Sequence, residues 1–233
     1  MADQLLDALP QHRLVTDVCR LYVVRHGTTT LNVENRYRGR RDVPLDAQGY
    51  QDAVDAARQL SPVGLSAVYT GPLRRTIATA QVIADEARVP DLRILHGLNN
   101  LDYGAWEGMT AEEAASSDPE AFLLYRTSPS LAVCPYGERL IDAQRRMIEA
   151  LVFIGSRHQG EAVAVVTHAV MIRLALAKLN DTEQRWRVPV GLGSVAEFCV
   201  SGDAASDGRL GLALAPEGAQ PSASSHRRGR DSQ

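Results

Sequence analysis

The chain has 233 residues, 45% of them hydrophobic and 23% charged, with a formal net charge of −3. That length is enough to bury one sizeable core, so one domain of the ordinary soluble class is expected. The slightly acidic balance speaks against nucleic acid as a partner, which calls for a basic face. No window approaches the roughly eighteen uninterrupted apolar residues of a membrane span.

The opening MADQLLDALPQHRLVTDVCR has neither a basic leader nor a long apolar segment, and a cytoplasmic protein with no membrane partner is expected. Cys19, Cys134 and Cys199 are odd in number and scattered, so neither a disulfide framework nor a zinc site is expected. Small apolar fillers are the simpler reading. Lys178 is the only lysine, so nearly every positive charge is an arginine. Codon composition accounts for that as readily as function does, and position must decide.

Along the chain, short β-rich runs alternate with helical patterns. RLYVV (20–24) is followed by AQGYQDAVDAARQL (47–60), SAVYT (66–70), PLRRTIATAQVIADEA (72–87) and LRIL (92–95). A mostly helical middle from about 110 to 158 precedes AVAVV (162–166), a helix from about 168 to 180, and SVAEFCV (194–200). This order predicts an α/β fold, a three-layer αβα sandwich whose mostly parallel sheet carries helices on both faces. AVAVV has no polar alternation, as a central strand buried on both faces should read. Pro72 is expected to open one helix, where its missing N–H costs nothing, and Gly137 and Glu138 to open the long helix of the middle region.

Residues 1–18 read as an extension and 19–200 as the domain. Residues 201–233 read as a mostly flexible tail, because PEGAQPSASSHRRGRDSQ has too little apolar content to offset its ordering entropy. RLGLALA (209–215) could add an edge strand.

In an open α/β sheet, functional groups collect at the carboxyl ends of strands. Arg25-His26-Gly27 follows LYVV and Thr167-His168 follows AVAVV. Either histidine alone is more often structural, but two at matching topological positions are hard to dismiss. Arg75 lies in the first turn after a third strand, and its alternative is a solvated helix residue, a reading that suits Arg74 better. A neutral imidazole flanked by guanidiniums suggests phosphoryl transfer, with arginines holding the non-bridging oxygens and the ring nitrogen attacking phosphorus. No cofactor and no metal are required.

The stretch LYVVRHGTTTLNVENRYRGRRDVPLDAQGYQDA resembles the opening motif of the histidine phosphatase superfamily, the phosphoglycerate mutase-like proteins. TGPLRRTIATA, LDYGAWEG and VAVVTHAVMIR are similar to its later motifs, in order, so the resemblance spans about residues 19–200. It implies that His26 becomes a phosphohistidine that water hydrolyses, and that Arg25, Arg75 and His168 form the phosphate pocket. His168 would be protonated or hydrogen-bonded to the transferring oxygens. Asn32 and Thr29 would add polar contacts, and Gly27 would let backbone N–H groups approach the phosphate. The tautomer of His26 should be fixed by a hydrogen bond from its other ring nitrogen.

The sequence departs from the family pattern in one chemical respect. In LNNLDYGAWEG the glutamate expected as general acid is Asn100, and an amide cannot deliver a proton. Four readings are open: Asp102 substitutes through a shifted loop, the substrate has a good leaving group, the protein is a slow phosphatase or a phosphate-binding module, or the position was altered to trap an intermediate. Thr28 replaces the usual Glu or Gln, and Ala169-Val170 replace Gly-Gly, which makes that turn bulkier and is expected to narrow the pocket. Arg38, with Arg36, Arg40 and Arg41, either greets a second anionic group or is a solvated loop offset by Asp42 and Glu34.

A metal-independent phosphatase acting on a small phosphorylated metabolite is the leading expectation. A mutase-type phosphotransferase comes second, and a catalytically weakened binding or regulatory protein third. A symmetric homodimer is the base-rate expectation for assembly.

Overall fold

The computed structural model describes residues 18–179, 188–202 and 210–214. The expected N-terminal extension therefore lies almost wholly outside the described residues, as does most of the expected tail. Strand β1 (Cys19–Arg25) is followed by a single turn of helix α1 (Thr30–Val33), helix α2 (Ala47–Leu60), β2 (Ala67–Thr70), α3 (Arg74–Ala87) and β3 (Leu92–Ile94). Then come α4 (Ala111–Ser117), α5 (Pro119–Thr127), α6 (Leu140–Arg157), β4 (Ala162–Thr167), α7 (Ala169–Leu179), β5 (Val195–Gly202) and β6 (Leu210–Leu214).

The six strands form one sheet in the order β3-β2-β4-β1-β5-β6. The first four run parallel, whereas β5 is antiparallel to both neighbours. The edge strand expected near 209–215 is β6.

Side-chain alternation divides each central strand between two cores. Leu21 and Val23 of β1, with Val163 and Val165 of β4, join the core beneath α6 and α7. Tyr22, Val24, Ala164 and Val166 face α2 and α3. Because both faces are covered, the strands read as continuous apolar runs. Helix α2 begins where the Asp46 carboxylate accepts the N–H of Gly49 at 2.8 Å, and α3 where Asp42 accepts the N–H of Arg74 at 2.7 Å. The buried face of α2 is small along most of its length (Gly49, Ala53, Ala56, Ala57) before Leu60 at its end, which brings the start of the helix close to the loop leaving β1.

Pro72 stands two residues ahead of α3 rather than opening it. The helical middle is broken, because α5 ends at Thr127 and α6 begins only at Leu140. Gly137 and Glu138 are held elsewhere: a Cβ on Gly137 would lie 2.4 Å from the Asp102 carbonyl oxygen, and the Glu138 N–H donates to that same oxygen at 2.9 Å. This segment therefore packs on residues 102–104 instead of coiling. Cys19 and Cys134 are buried, and Cys199 is half-buried.

Gly27 and Gly49 meet backbone to backbone. A Cβ on Gly27 would sit 2.1 Å from the Gly49 oxygen, and one on Gly49 would sit 2.1 Å from the Thr28 oxygen. Gly49→Ala should therefore lower the unfolding free energy by roughly 1–3 kcal/mol or more. Gly191→Ala, whose added Cβ would meet nothing nearer than 3.7 Å, should stay within about 0.5 kcal/mol. Equilibrium denaturant unfolding of the two variants measures the contrast, and equal midpoints would show that the loop accommodates the methyl group.

Candidate active site

The register of β1 against β4 places Arg25 opposite Thr167. The next residue on each strand is a histidine, and the His26 N–H donates to the Thr167 carbonyl at 3.0 Å. His26 and His168 thus leave adjacent parallel strands side by side, with ring centroids 5.1 Å apart at 64°. Both are almost fully buried, at 1% and 2% exposure. They line a cavity of about 340 Å³ whose wall includes Tyr37, Arg38, Asn100, Tyr103, Tyr125, Arg126 and Arg173.

His26 Nδ1 lies 2.6 Å from the Gly27 carbonyl oxygen. A carbonyl can only accept, so Nδ1 carries the proton and Nε2 carries the lone pair. Burial, with the Arg75 guanidinium next in effect, holds the His26 imidazole well below the ordinary histidine range. Burial, Arg75 and His26 do the same to His168. In the free site His168 is therefore neutral rather than protonated, and neither of its ring nitrogens has a partner among the described residues.

Arg75 is fully buried. Its Nη1 donates to the Arg41 carbonyl at 2.7 Å and its Nη2 to the Gly39 carbonyl at 2.8 Å, leaving Nε unpartnered. Arg25 donates through Nη1 to the Val190 carbonyl, and its Nε is likewise unpartnered. Burial lowers the Arg25 guanidinium to about 10, helped by Arg38 and Arg173. Burial and Arg38 lower Arg75 to about 10 as well. Unsatisfied buried donors are costly, and donors of this charge converging on one cavity suit an anion.

The other anticipated residues separate. Arg38 reaches the cavity wall, and burial lowers its guanidinium as well. Arg36 pairs with Glu34 and Glu113, Arg40 pairs with Asp102 and Glu138, and Arg41 donates to the Glu107 carbonyl. Asn32 and Thr29 are not on the wall. The Asn32 Oδ1 accepts from the Thr29 N–H at 3.0 Å and from the Thr29 hydroxyl at 2.8 Å, closing the turn that starts α1. The Gly27 N–H donates to the Thr79 hydroxyl at 3.1 Å. Thr28 is tied to Asp52 through its N–H and its hydroxyl.

Asn100 lines the cavity and is fixed at both ends of its amide. Its Nδ2 donates to the Gly39 carbonyl at 2.9 Å, and its Oδ1 accepts the Leu101 N–H at 3.0 Å. Behind it, Arg146 donates to the carbonyls of Gly97, Asn99 and Asn100 and to both Glu138 carboxylate oxygens. Asp102, anticipated as an alternative acid, is held away from the cavity. It accepts the Gly104 N–H at 2.9 Å and pairs with Arg40 at 3.2 Å, off the cavity wall. Among the described residues no cluster of three His, Cys, Asp or Glu side chains could hold a metal ion, and no helix is long and apolar enough to cross a membrane.

The sequence reading missed Tyr37, Tyr103, Tyr125, Arg126 and Arg173 as wall residues. Tyr103 and Tyr125 share a hydrogen bond at 3.0 Å, and Trp106 and Phe122 stack around them. The aromatic run Tyr103, Trp106, Phe122, Tyr125 was the available signal.

The tautomer and charge of the two imidazoles are directly observable. At pH 6, nitrogen-15 NMR of labelled protein should show His26 neutral with its proton on Nδ1, and His168 neutral. A protonated signal for either ring at that pH would contradict the electrostatics described.

Residues 21–206 match the histidine phosphatase superfamily (branch 1). A bifunctional protein of Mycobacterium tuberculosis is 35% identical over 188 residues, 78% of this chain and 51% of the relative. The chain thus spans about half the length of that relative. Phosphoserine phosphatase 1 of Hydrogenobacter thermophilus is 33% identical over 154 residues, covering 66% of this chain and 72% of that protein. Among solved structures, YhfR of Bacillus stearothermophilus superposes with a TM-score of 0.73 at 34% identity, over 84% of this chain and 96% of its own. With its two histidines on adjacent strand ends and this extent of match, the chain belongs to the histidine phosphatase superfamily.

Proposed function

We propose that the protein is a metal-independent phosphatase that hydrolyses a small phosphorylated metabolite through a phosphohistidine on His26. The observation that carries this reading is the hydrogen bond from His26 Nδ1 to the Gly27 carbonyl, which leaves the Nε2 lone pair as the nucleophile beside unpartnered guanidinium and imidazole donors. Membership of a phosphatase superfamily, and likeness to a relative named as a phosphoserine phosphatase, support hydrolysis as the outcome.

In the proposed cycle, Arg25 and Arg75 hold the non-bridging oxygens, and His26 Nε2 attacks phosphorus while the bridging P–O bond breaks and its electron pair departs on the leaving oxygen. His168 is neutral in the free site and donates a hydrogen bond to, or takes a proton from, the incoming phosphoryl oxygens. Water then attacks the phosphohistidine, phosphate leaves, and the electron pair of the N–P bond returns to Nε2. Asn100 can steady an oxygen through its remaining N–H but supplies no proton.

Asn100 is also the observation that favours a second reading, a phosphate-binding protein with weak turnover. The two separate on one measurement. His26→Ala should abolish both phosphohistidine, seen by mass spectrometry of quenched reactions, and phosphate release, with a loss of at least about 10³-fold, as for the removal of a nucleophile. Phosphate esters that bind the wild-type protein while giving neither signal would establish the binding reading.

A further inference from the structure

Breaking a P–O bond requires the leaving oxygen either to take up a proton or to be stable as an anion. The cavity offers no suitable proton. Asn100 is an amide with two of its polar atoms already anchored, and no Asp or Glu lines the wall among the described residues. Glu107 accepts the Arg40 N–H at 2.7 Å, and Glu138 is paired with Arg146 and Arg40. The Tyr103 and Tyr125 phenols are hydrogen-bonded to each other, and burial pushes both upward, making them weaker acids. His168 stands neutral.

The cavity does hold an excess of positive charge. Arg38 and Arg173 share its wall with His26 and His168, and the Arg75 and Arg25 guanidiniums act on the His26 ring from behind that wall. Arg25 and Arg75 are held by backbone carbonyls rather than by carboxylates, as is the Nε of Arg173, which donates to the Val188 carbonyl at 2.9 Å. A lone phosphomonoester dianion would leave part of this charge unanswered, whereas a diphosphate brings three or more negative charges.

We infer that the substrates are phosphoanhydrides, with the terminal phosphoryl group on His26 Nε2 and the departing phosphate received by Arg38 and Arg173. The inference rests on the phosphohistidine reading and names its substrate class. The Nε2 lone pair forms the N–P bond while the bridging P–O bond breaks. The electron pair of that bond leaves on the second phosphate, whose second ionisation near ~6 makes it a stable anion without a proton. Water then attacks phosphorus, the N–P pair returns to Nε2, and the protons of the water end on the phosphate products and solvent.

The test compares three probes on the full chain with a chelator present. A nucleoside diphosphate carries both phosphates, 3-phosphoglycerate carries a second anion but an alkoxide leaving group, and glycerol 2-phosphate carries the alkoxide alone. Because a positioned general acid is worth ~10²–10⁴-fold, kcat/KM for the diphosphate should exceed that for either alkyl ester by about 10² or more. Asn100→Glu should narrow the gap by raising alkyl-ester turnover; if that variant does not fold, the wild-type ratio decides.

An alkyl ester hydrolysed as fast as the diphosphate, with His26 still phosphorylated, would overturn the inference and leave the phosphatase reading standing. Absence of both phosphate release and phosphohistidine with every probe would remove the two together.

Discussion

Buried positive charge held by neutral oxygen is the constraint on which the site depends. The Arg75 guanidinium is fully enclosed, yet its partners are the carbonyls of Gly39 and Arg41. Carbonyl dipoles fix its position without an ion pair, and its charge acts on the two histidines of the cavity. Had a carboxylate taken that place, the pair would have been internally neutral and of little use to an anion. The same charge, added to burial, keeps His26 and His168 neutral, and a neutral ring is what nucleophilic attack requires. In the proposed reaction, affinity for the anion and readiness of His26 as nucleophile would both follow from this one electrostatic arrangement.

The sheet delivers these groups by register. Arg25 opposite Thr167 sets His26 beside His168, and a slip of one residue would turn every apolar side chain of the strand to the wrong core. The dense apolar packing of Leu21, Val23, Val163 and Val165 on one face, and of Val24 and Val166 on the other, is thus what fixes the catalytic geometry. The Gly27–Gly49 contact adds a second restraint, pressing α2 against the loop that leaves β1.

How much of this could be read from the chain follows from the range of the forces involved. Continuous apolar runs identify β1 and β4 because both faces of each are buried, and the two histidines at their ends are legible as a pair for that reason. The limits of α2 were legible in its local pattern, too. Long-range backbone contacts were not. Gly137 looked like a helix start, but it packs on Asp102 and Gly104, distant in sequence. Gly27 looked like a phosphate contact, but Thr79 takes its N–H. Four clustered arginines in RYRGRRD looked alike, and only the fold sends Arg38 inward while carboxylates from other segments hold Arg36 and Arg40. Tyr125 and Arg126 sit on a short helix whose pattern says nothing of the cavity it borders.

Asn100 shows how chemistry can change while geometry is kept. The Gly39 carbonyl accepts from both Arg75 Nη2 and Asn100 Nδ2, so one oxygen ties the two side chains together. An ionised carboxylate facing that carbonyl would be repelled by it, whereas a protonated acid or an amide can donate to it. The local hydrogen-bond pattern therefore suits either a neutral carboxylic acid or an amide. Only the acid has a proton to give. In the proposed reaction, an amide here keeps the loop, the Arg146 clamp behind it and Arg75 beside it, and places the demand for stabilisation on the leaving group itself.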